Sequence, residues 1–220
     1  MSYDYVYKFI IVGSVGVGKT SLIQTITNAD YNVHTYAPTI GIEFCSHIVD
    51  VEDKKIKCRI WDTAGQETFN SLISIYFRDV TAAILVFDGN NPESLYDIEH
   101  SWIPQIKKHN LSYMPKMILV ENKCDLKRNI NEDKLQHIIE KFDLLYIKSS
   151  ALQKKNTHKI LHDIAEYIHK NTDYTSIYEL NNKHISKGYK DYDIKTKMKP
   201  RRDRYYSCDR DDNYGCCVIV

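Results

Sequence analysis

Residues Gly13 to Thr20 read Gly-Ser-Val-Gly-Val-Gly-Lys-Thr, and this segment indicates the fold class of the chain. It follows directly on the apolar run Val6–Val12, and a helical pattern begins immediately after it. Gly-x-x-x-x-Gly-Lys-Ser/Thr between a strand and a helix is the phosphate-binding loop, whose backbone N–H groups converge on phosphate oxygens. Lys19 is expected to reach the β- and γ-phosphates, and the Thr20 hydroxyl to bind Mg²⁺. We therefore predict a nucleoside triphosphate site formed by Ser14, Val15, Gly16, Val17, Gly18, Lys19, Thr20 and Ser21.

A second motif selects the base. Asn122-Lys123-Cys124-Asp125 stands at the end of another predicted strand. An aspartate there can accept two hydrogen bonds, from N1–H and the exocyclic amine of guanine, whereas adenine offers no such donor pair. Ser150 and Ala151, followed by Leu152, can present backbone N–H groups to the guanine carbonyl. These residues, with Asn122, Lys123 and Asp125, predict guanine specificity and argue against an adenine-nucleotide kinase or ATPase.

Two further segments complete the predicted nucleotide chemistry. Trp61-Asp62-Thr63-Ala64-Gly65-Gln66-Glu67 closes the third predicted strand. Asp62 is expected to hold Mg²⁺ through water, the Gly65 N–H to donate to the γ-phosphate, and Gln66 to orient the attacking water. Thr39, before the second strand, can bind Mg²⁺ through its hydroxyl while the γ-phosphate is present. The predicted catalytic residues are Gln66, Lys19 and Thr39, and the predicted Mg²⁺ ligands are Thr20, Thr39 and Asp62.

Along most of the chain, short apolar runs alternate with segments in which apolar residues recur at helical spacing, here called helical stripes. The predicted strands are Val6–Val12, Glu43–Val51, Lys55–Trp61, Ala82–Asp88, Lys116–Asn122 and Leu144–Lys148. A turn at Asp53 joins the second and third strands into a hairpin. This alternation predicts an α/β fold: a three-layer P-loop domain with a six-stranded, mostly parallel sheet, one antiparallel edge strand and about five helices. Pro104 falls within a helical stripe and is expected to kink that helix.

Composition excludes several other classes of protein. Thirty Lys and Arg against twenty-nine Asp and Glu give a formal charge of +1, which argues against a strongly basic nucleic-acid binder. The six cysteines show no zinc-type spacing, so we expect free thiols. No apolar run approaches the length of a spanning helix, and we expect a cytosolic protein.

The five nucleotide motifs stand in the order found in the Ras superfamily of small GTPases, which the chain resembles over roughly residues 5–171. Within that superfamily the chain resembles the Rab family. Thr39-Ile40-Gly41-Ile42-Glu43-Phe44 is similar to one Rab signature, and Lys57-Cys58-Arg59-Ile60-Trp61 is similar to another. The resemblance implies that Tyr31 packs on the guanine. It also implies a surface read by effector proteins, formed by Ile42, Phe44, Trp61 and Tyr76.

The same resemblance implies a function. It predicts a GDP/GTP switch that hydrolyses GTP with Mg²⁺ as cofactor and regulates vesicle traffic. The implied partners are a guanine exchange factor, a GTPase-activating protein, the Rab escort protein, GDP dissociation inhibitor and effectors. We further expect a monomer and, from the charge balance, no binding of nucleic acid.

Three residues depart from the Rab pattern. Val15 stands where Rab proteins usually carry Ser, and its branched side chain can crowd Gln66 or an incoming arginine finger. This leaves open an alternative function as a GTP-binding scaffold with slow hydrolysis. Leu152 replaces the usual Lys of the guanine pocket, and Glu121 replaces the small residue usual before Asn122.

From residue 172 the helical periodicity fades, and residues 172–220 are expected to form a flexible tail. Lys183 to Arg204 holds nine Lys or Arg and three Asp. The ending Cys216-Cys217-Val218-Ile219-Val220 satisfies the Cys-a-a-X pattern and resembles the double-cysteine ending of Rab proteins. It implies geranylgeranylation of Cys216 and Cys217, and hence peripheral attachment to the cytosolic face of intracellular membranes.

Overall fold

A computed structural model describes residues 3–28, 42–63, 76–111, 113–171 and 215–219 of the chain. The strands are β1 Tyr5–Val12, β2 Ile42–Val51, β3 Lys54–Thr63, β4 Ala82–Asp88, β5 Lys116–Asn122, β6 Leu145–Lys148 and β7 Gly215–Ile219. The helices are α1 Lys19–Thr27, α2, α3 Glu132–Phe142 and α4 Thr157–Asn171. Helix α2 is continuous but has three parts, Pro92–Asp97, a π-helical turn at Ile98–Trp102, and Ile103–His109.

The strands form one sheet in the order β6-β5-β4-β1-β3-β2-β7. Strands β1, β3, β4, β5 and β6 are parallel, whereas β2 pairs antiparallel with β3. Val51 and Lys54 are paired at the end of this hairpin, so Glu52 and Asp53 form the turn. The predicted three-layer α/β fold with its six strands is therefore confirmed, and four of the predicted helices lie in the described residues.

Each face of the sheet is covered by helices because its strands are apolar on both sides. On one face, Phe9 and Ile11 of β1 lie in a core with residues of α1 and α4, among them Leu22, Ile160, Leu161 and Ile164. On the other face, Ile10 and Val12 lie in a core with residues of α2 and α3, among them Leu95, Ile98, Trp102, Ile106, Leu135 and Ile138. The helical stripes read from the sequence are therefore packing surfaces.

Helix α2 accommodates Pro104 through a change of helical type. The Ile103 N–H donates to the carbonyl oxygen of Ile98, five residues earlier, which is the π-helical pattern. Proline has no N–H, so in a regular α-helix the carbonyl of His100 would have no donor at Pro104. The structure places a π turn at Ile98–Trp102 immediately before the segment that contains the proline, and Ile98 and Trp102 remain fully buried.

A seventh strand, which the sequence pattern did not predict, comes from the tail. Strand β7 pairs antiparallel with β2, with Cys217 opposite Phe44 and Cys216 opposite Cys45. The rest of the predicted tail, residues 172–214 and Val220, lies outside the described residues. In the part of the chain that the structure describes, no helix is both long and apolar enough to cross a membrane.

Candidate nucleotide-binding site

The phosphate-binding loop passes so close to neighbouring strands that two of its glycines cannot carry side chains. A Cβ atom at Gly13 would lie 2.1 Å from the carbonyl oxygen of Val86 in β4. A Cβ atom at Gly18, where φ is +95°, would lie 2.4 Å from Nδ2 of Asn122. These two glycines therefore allow the loop to pack between β4 and the end of β5.

Helix α1 begins at Lys19 with an N-terminus suited to an anion. Its N-cap is Gly18, which has no side chain that could cap the first turn, and the first turn holds no acidic residue. The N–H groups of a first turn have no partner within the helix, and the helix dipole favours negative charge there. This helix end can therefore bind phosphate oxygens, as predicted for the loop.

Lys19 is buried and its ammonium is held by the loop itself. Nζ donates to the carbonyl oxygens of Gly13 at 2.7 Å and Ser14 at 3.0 Å. Burial lowers the pKa of Lys19 to about 8, and the nearby Asp62 carboxylate partly opposes that shift. The geometry places a cation at the loop, where phosphate charge would compensate its desolvation.

Thr20 and Asp62 meet beside the loop. The Thr20 hydroxyl donates to Oδ2 of Asp62 at 2.6 Å, while Oδ1 of Asp62 is buried without a hydrogen-bond partner among the described residues. Burial raises the pKa of Asp62 to about 7, against the opposing effects of Thr20 and Lys19. A hydroxyl and a buried carboxylate with a free oxygen are hard ligands that fit Mg²⁺. In the described part of the chain, no group of three or more His, Cys, Asp or Glu could hold a metal ion.

Asn122 joins three of the predicted segments. Its Nδ2 donates to the carbonyl oxygen of Val17 at 2.8 Å, in the phosphate-binding loop. Its Oδ1 accepts a hydrogen bond of 3.2 Å from the N–H of Ala151. The structure thus brings the phosphate-binding loop, the base motif and the Ser-Ala segment together through one buried side chain.

Asp125 and Lys123 are each fixed by a contact outside their own motif. Oδ1 of Asp125 accepts a hydrogen bond from the Ser150 hydroxyl, and the Gln153 N–H donates to that hydroxyl oxygen at 3.1 Å. Lys123 has a φ of +60° and its Nζ lies 2.7 Å from Oδ2 of Asp88. The base motif and the segment after β6 therefore form one cluster.

The remaining predicted site residues differ in how exposed they are. The side chain of Val15 is 65% exposed and that of Leu152 is 49% exposed. Ser21 is buried in α1, and Gly16 has a φ of +76°. Tyr31, Thr39, Gly65 and Gln66 lie outside the described residues, as does the side chain of Ile42.

Three aromatic rings predicted to form an effector surface are in contact. The ring centroids of Phe44 and Trp61 are 4.7 Å apart, and those of Trp61 and Tyr76 are 5.0 Å apart. All three side chains are partly buried. Recognition of this cluster by effectors stays a prediction.

Sequence reasoning missed two carboxylates that hold the site. Asp97 of α2 accepts a 2.6 Å hydrogen bond from the hydroxyl of Ser14, and Asp88 at the end of β4 pairs with Lys123. Neither aspartate belongs to a motif with fixed spacing from its partner. The position of Asp88 at the carboxyl end of a parallel strand is the one signal that could have identified it.

The chain is similar to known proteins of one family. The model of the Ras family matches residues 8–170 of the chain. Ras-related protein Rab-11A of Dictyostelium discoideum is 34% identical over 169 residues, which cover 76% of this chain and 78% of the relative. Rab-13 of Bos taurus is 35% identical, and the match covers 76% of this chain and 82% of the relative. Rab-8B of Homo sapiens is 34% identical, and the match covers 76% of this chain and 80% of the relative. The chain belongs to the Ras family of small GTPases.

These three relatives are Rab proteins, so the resemblance to the Rab family is also confirmed. Members of this family are GTPases that act as guanine-nucleotide switches. This chain is accordingly a small GTPase of the Rab type, and GTP hydrolysis is its activity.

Proposed function

We propose that this chain is a Mg²⁺-dependent GDP/GTP switch that regulates membrane traffic, with the nucleotide domain at residues 5–171. The observation that carries the proposal is the pair of hydrogen bonds from Asn122 to Val17 and Ala151, at 2.8 and 3.2 Å. A single side chain that links a phosphate-binding loop to a base motif supports one continuous pocket for a phosphorylated nucleoside.

Guanine is the base that we assign to this pocket. Asp125 would accept hydrogen bonds from N1–H and the exocyclic amine, while Ala151 lies near enough to the same motif to contribute its backbone. Tyr31 would pack on the base, and Lys123, Ser150 and Leu152 would line it. An adenine nucleotide would not offer the Asp125 carboxylate the pair of donors that guanine offers.

Mg²⁺ would be held by the Thr20 hydroxyl and, through water, by Asp62, with Thr39 as a third ligand when GTP is bound. The buried Oδ1 of Asp62, which lacks a hydrogen-bond partner among the described residues, supports this assignment. When bound, the ion neutralises phosphate charge during hydrolysis. Lys19 would contact the β- and γ-phosphates, and Gln66 would orient the attacking water.

Residues 172–220 would act as a tether to a membrane. Cys216 and Cys217 would carry geranylgeranyl groups, and two such chains give stable anchoring, assisted by the basic stretch from Lys183 to Arg204. Exchange factor, GTPase-activating protein, escort protein, GDP dissociation inhibitor and effectors are the partners that this function requires. Effectors would read the aromatic cluster of Phe44, Trp61 and Tyr76 together with Ile42.

The test is to identify the nucleotide that the purified chain retains and to compare its affinity for GDP, GTP and ATP with and without Mg²⁺. We expect GDP or GTP in the purified protein and a strong preference for guanine nucleotides. Removing Mg²⁺ with a chelator should speed nucleotide release, because phosphate charge would then lie unneutralised beside Asp62. Equal binding of ATP and GTP would contradict the proposal.

A second candidate, a GTP-bound scaffold with slow hydrolysis, is favoured by Val15. Its exposed, branched side chain stands on the phosphate-binding loop, where it can obstruct an arginine finger. Such a finger is worth about 10³–10⁵ in rate, so its exclusion would leave the protein in the GTP form.

The substitution Val15→Ser separates these two functions. If Val15 obstructs catalysis, single-turnover GTP hydrolysis with a Rab-type activating protein should be at least about tenfold faster in the variant, while GDP affinity stays unchanged. Leu111→Ser is the matched control, because it removes an exposed apolar side chain outside the predicted site, and it should leave the hydrolysis rate unaltered. Equal rates for wild type and Val15→Ser would exclude the slow-hydrolysis scaffold caused by Val15.

A further inference from the structure

A buried carboxylate lies directly before the base motif. Glu121 is the residue before Asn122 in β5, and its side chain is 1% exposed. Its Oε1 accepts a 2.7 Å hydrogen bond from Nε of Arg128, and its Oε2 accepts bonds from Nη2 of Arg128 at 3.1 Å and from the Tyr146 hydroxyl at 2.5 Å. Both carboxylate oxygens are thus satisfied, as a buried charge requires.

Arg128 connects this carboxylate to the loop that carries Asp125. It follows Asp125 by three residues in the sequence, and its Nη1 also pairs with Glu132, the first residue of α3. The carboxylates of Glu121 and Glu132 raise the pKa of Arg128 above its usual value. One guanidinium therefore fastens the far end of the base-motif loop to β5 and to the start of α3.

Gly89 leaves room for the Glu121 side chain because glycine has no Cβ atom. A Cβ atom at Gly89 would lie 3.0 Å from Oε1 of Glu121. The backbone of Gly89 also bonds both ends of the same loop, because its N–H donates to the carbonyl of Asn122 at 3.0 Å and its own carbonyl accepts from the N–H of Asn129 at 2.8 Å. The loop from Asn122 to Asn129 is thus held at both ends around the partly buried ion pair of Glu121 and Arg128.

We propose that the Glu121–Arg128 pair is a positioning device for guanine recognition, which holds the loop so that Asp125 meets both donors of the base. A carboxylate that must accept two hydrogen bonds at once depends on accurate placement. Neither Glu121 nor Arg128 touches the nucleotide in this account. The inference rests on the guanine site of the proposed function and assigns its selectivity to a contact outside the base motif itself.

If the Glu121–Arg128 pair only stabilised the fold, a different result would be expected. Its loss would reduce the free energy of unfolding and leave base selectivity unchanged. Hypoxanthine distinguishes the two roles because it keeps N1–H but lacks the exocyclic amine. Misplacement of Asp125 should therefore weaken GDP binding more than IDP binding and reduce the preference for GDP.

The experiment measures dissociation rates of GDP and IDP from the full Mg²⁺-loaded chain, with Glu121→Gln as the main variant. This change keeps the shape of the side chain and removes its charge. We expect GDP to dissociate about tenfold faster, equivalent to about 1.4 kcal/mol, and the preference for GDP over IDP to fall. Glu132→Gln is the matched control, because it removes an exposed partner of the same guanidinium and should change both rates less than about twofold.

A second variant keeps the test valid if Glu121→Gln does not fold. The double change Glu121→Leu with Arg128→Met removes both charges together, which proteins often tolerate. It should show the same loss of GDP preference. An unchanged GDP/IDP preference in the variants that fold overturns the inference, whether or not their thermal stability falls. A wild-type chain that does not prefer GDP to ATP would instead contradict the guanine site itself.

Discussion

Asn122 shows how one side chain can unify a binding site. Both of its bonded partners are backbone groups, the Val17 carbonyl and the Ala151 N–H, and Asn122 itself is 1% exposed. Water cannot readily replace those hydrogen bonds at a buried position. The residue that the sequence assigns to nucleotide binding is therefore also a structural link between the phosphate-binding loop and the segment that follows β6.

Asn122→Ala should lower the free energy of unfolding by about 2–4 kcal/mol, because two buried backbone groups lose their partners. It should also accelerate GDP release, since the two ends of the pocket would no longer be joined. Urea unfolding at a fixed, saturating GDP concentration and GDP dissociation rates measure the two effects. Asn129→Ala, at an exposed position of the same loop, is the control. An equal decrease in the free energy of unfolding of Asn122→Ala and Asn129→Ala would contradict the linking role of Asn122.

At the scale of elements, the helices position the site from both faces of the sheet. Helix α1 presents its N-terminus to the phosphate-binding loop, and α2 holds that loop from the side through Asp97 and Ser14. The π turn at Ile98–Trp102 directly follows Asp97, while Ile98 and Trp102 anchor the helix in the core. The irregular part of α2 thus lies next to the residue that contacts the loop, as is common for π turns near functional sites.

At the scale of the whole molecule, the tail covers an edge of the sheet. Strand β7 pairs with residues 42–46 of β2, so the cysteines proposed to carry lipid lie beside the strand that bears Phe44. An uncovered edge strand exposes unpaired backbone groups to other chains. The pairing therefore connects the proposed membrane-anchoring segment with the predicted effector surface.

Deleting residues 215–220 should speed hydrogen exchange of those backbone amides of residues 42–46 that are directed toward β7, because they would lose their hydrogen-bond partners while β3 still holds the others. The expected increase is about fivefold if local opening of β7 costs about 1 kcal/mol. Hydrogen exchange followed by mass spectrometry measures it in the full chain and the shortened chain. Residues 145–148 of β6, at the opposite edge of the sheet, provide the internal control. Equal rates of hydrogen exchange at residues 42–46 in the full and the shortened chain would contradict the pairing of β7 with β2.

Six of the seven described strands, the four described helices and the nucleotide motifs could be predicted from local sequence patterns. These features are local: Val6–Val12 and Gly13–Thr20 are recognised from periodicity and fixed spacing, and burial on both faces follows from apolar strands. The order of the motifs was sufficient to predict the family, and the Asp125 carboxylate was sufficient to predict guanine as the base.

The distant side chains that support those motifs could be identified from the three-dimensional contacts alone. Glu121 with Tyr146, Ser14 with Asp97, and Lys123 with Asp88 are pairs separated by 25, 83 and 35 positions. The pairing of β7 with β2 is likewise long-range. No periodic pattern marks such pairs, because they meet through the packing of whole elements and each depends on which strands become neighbours in the sheet.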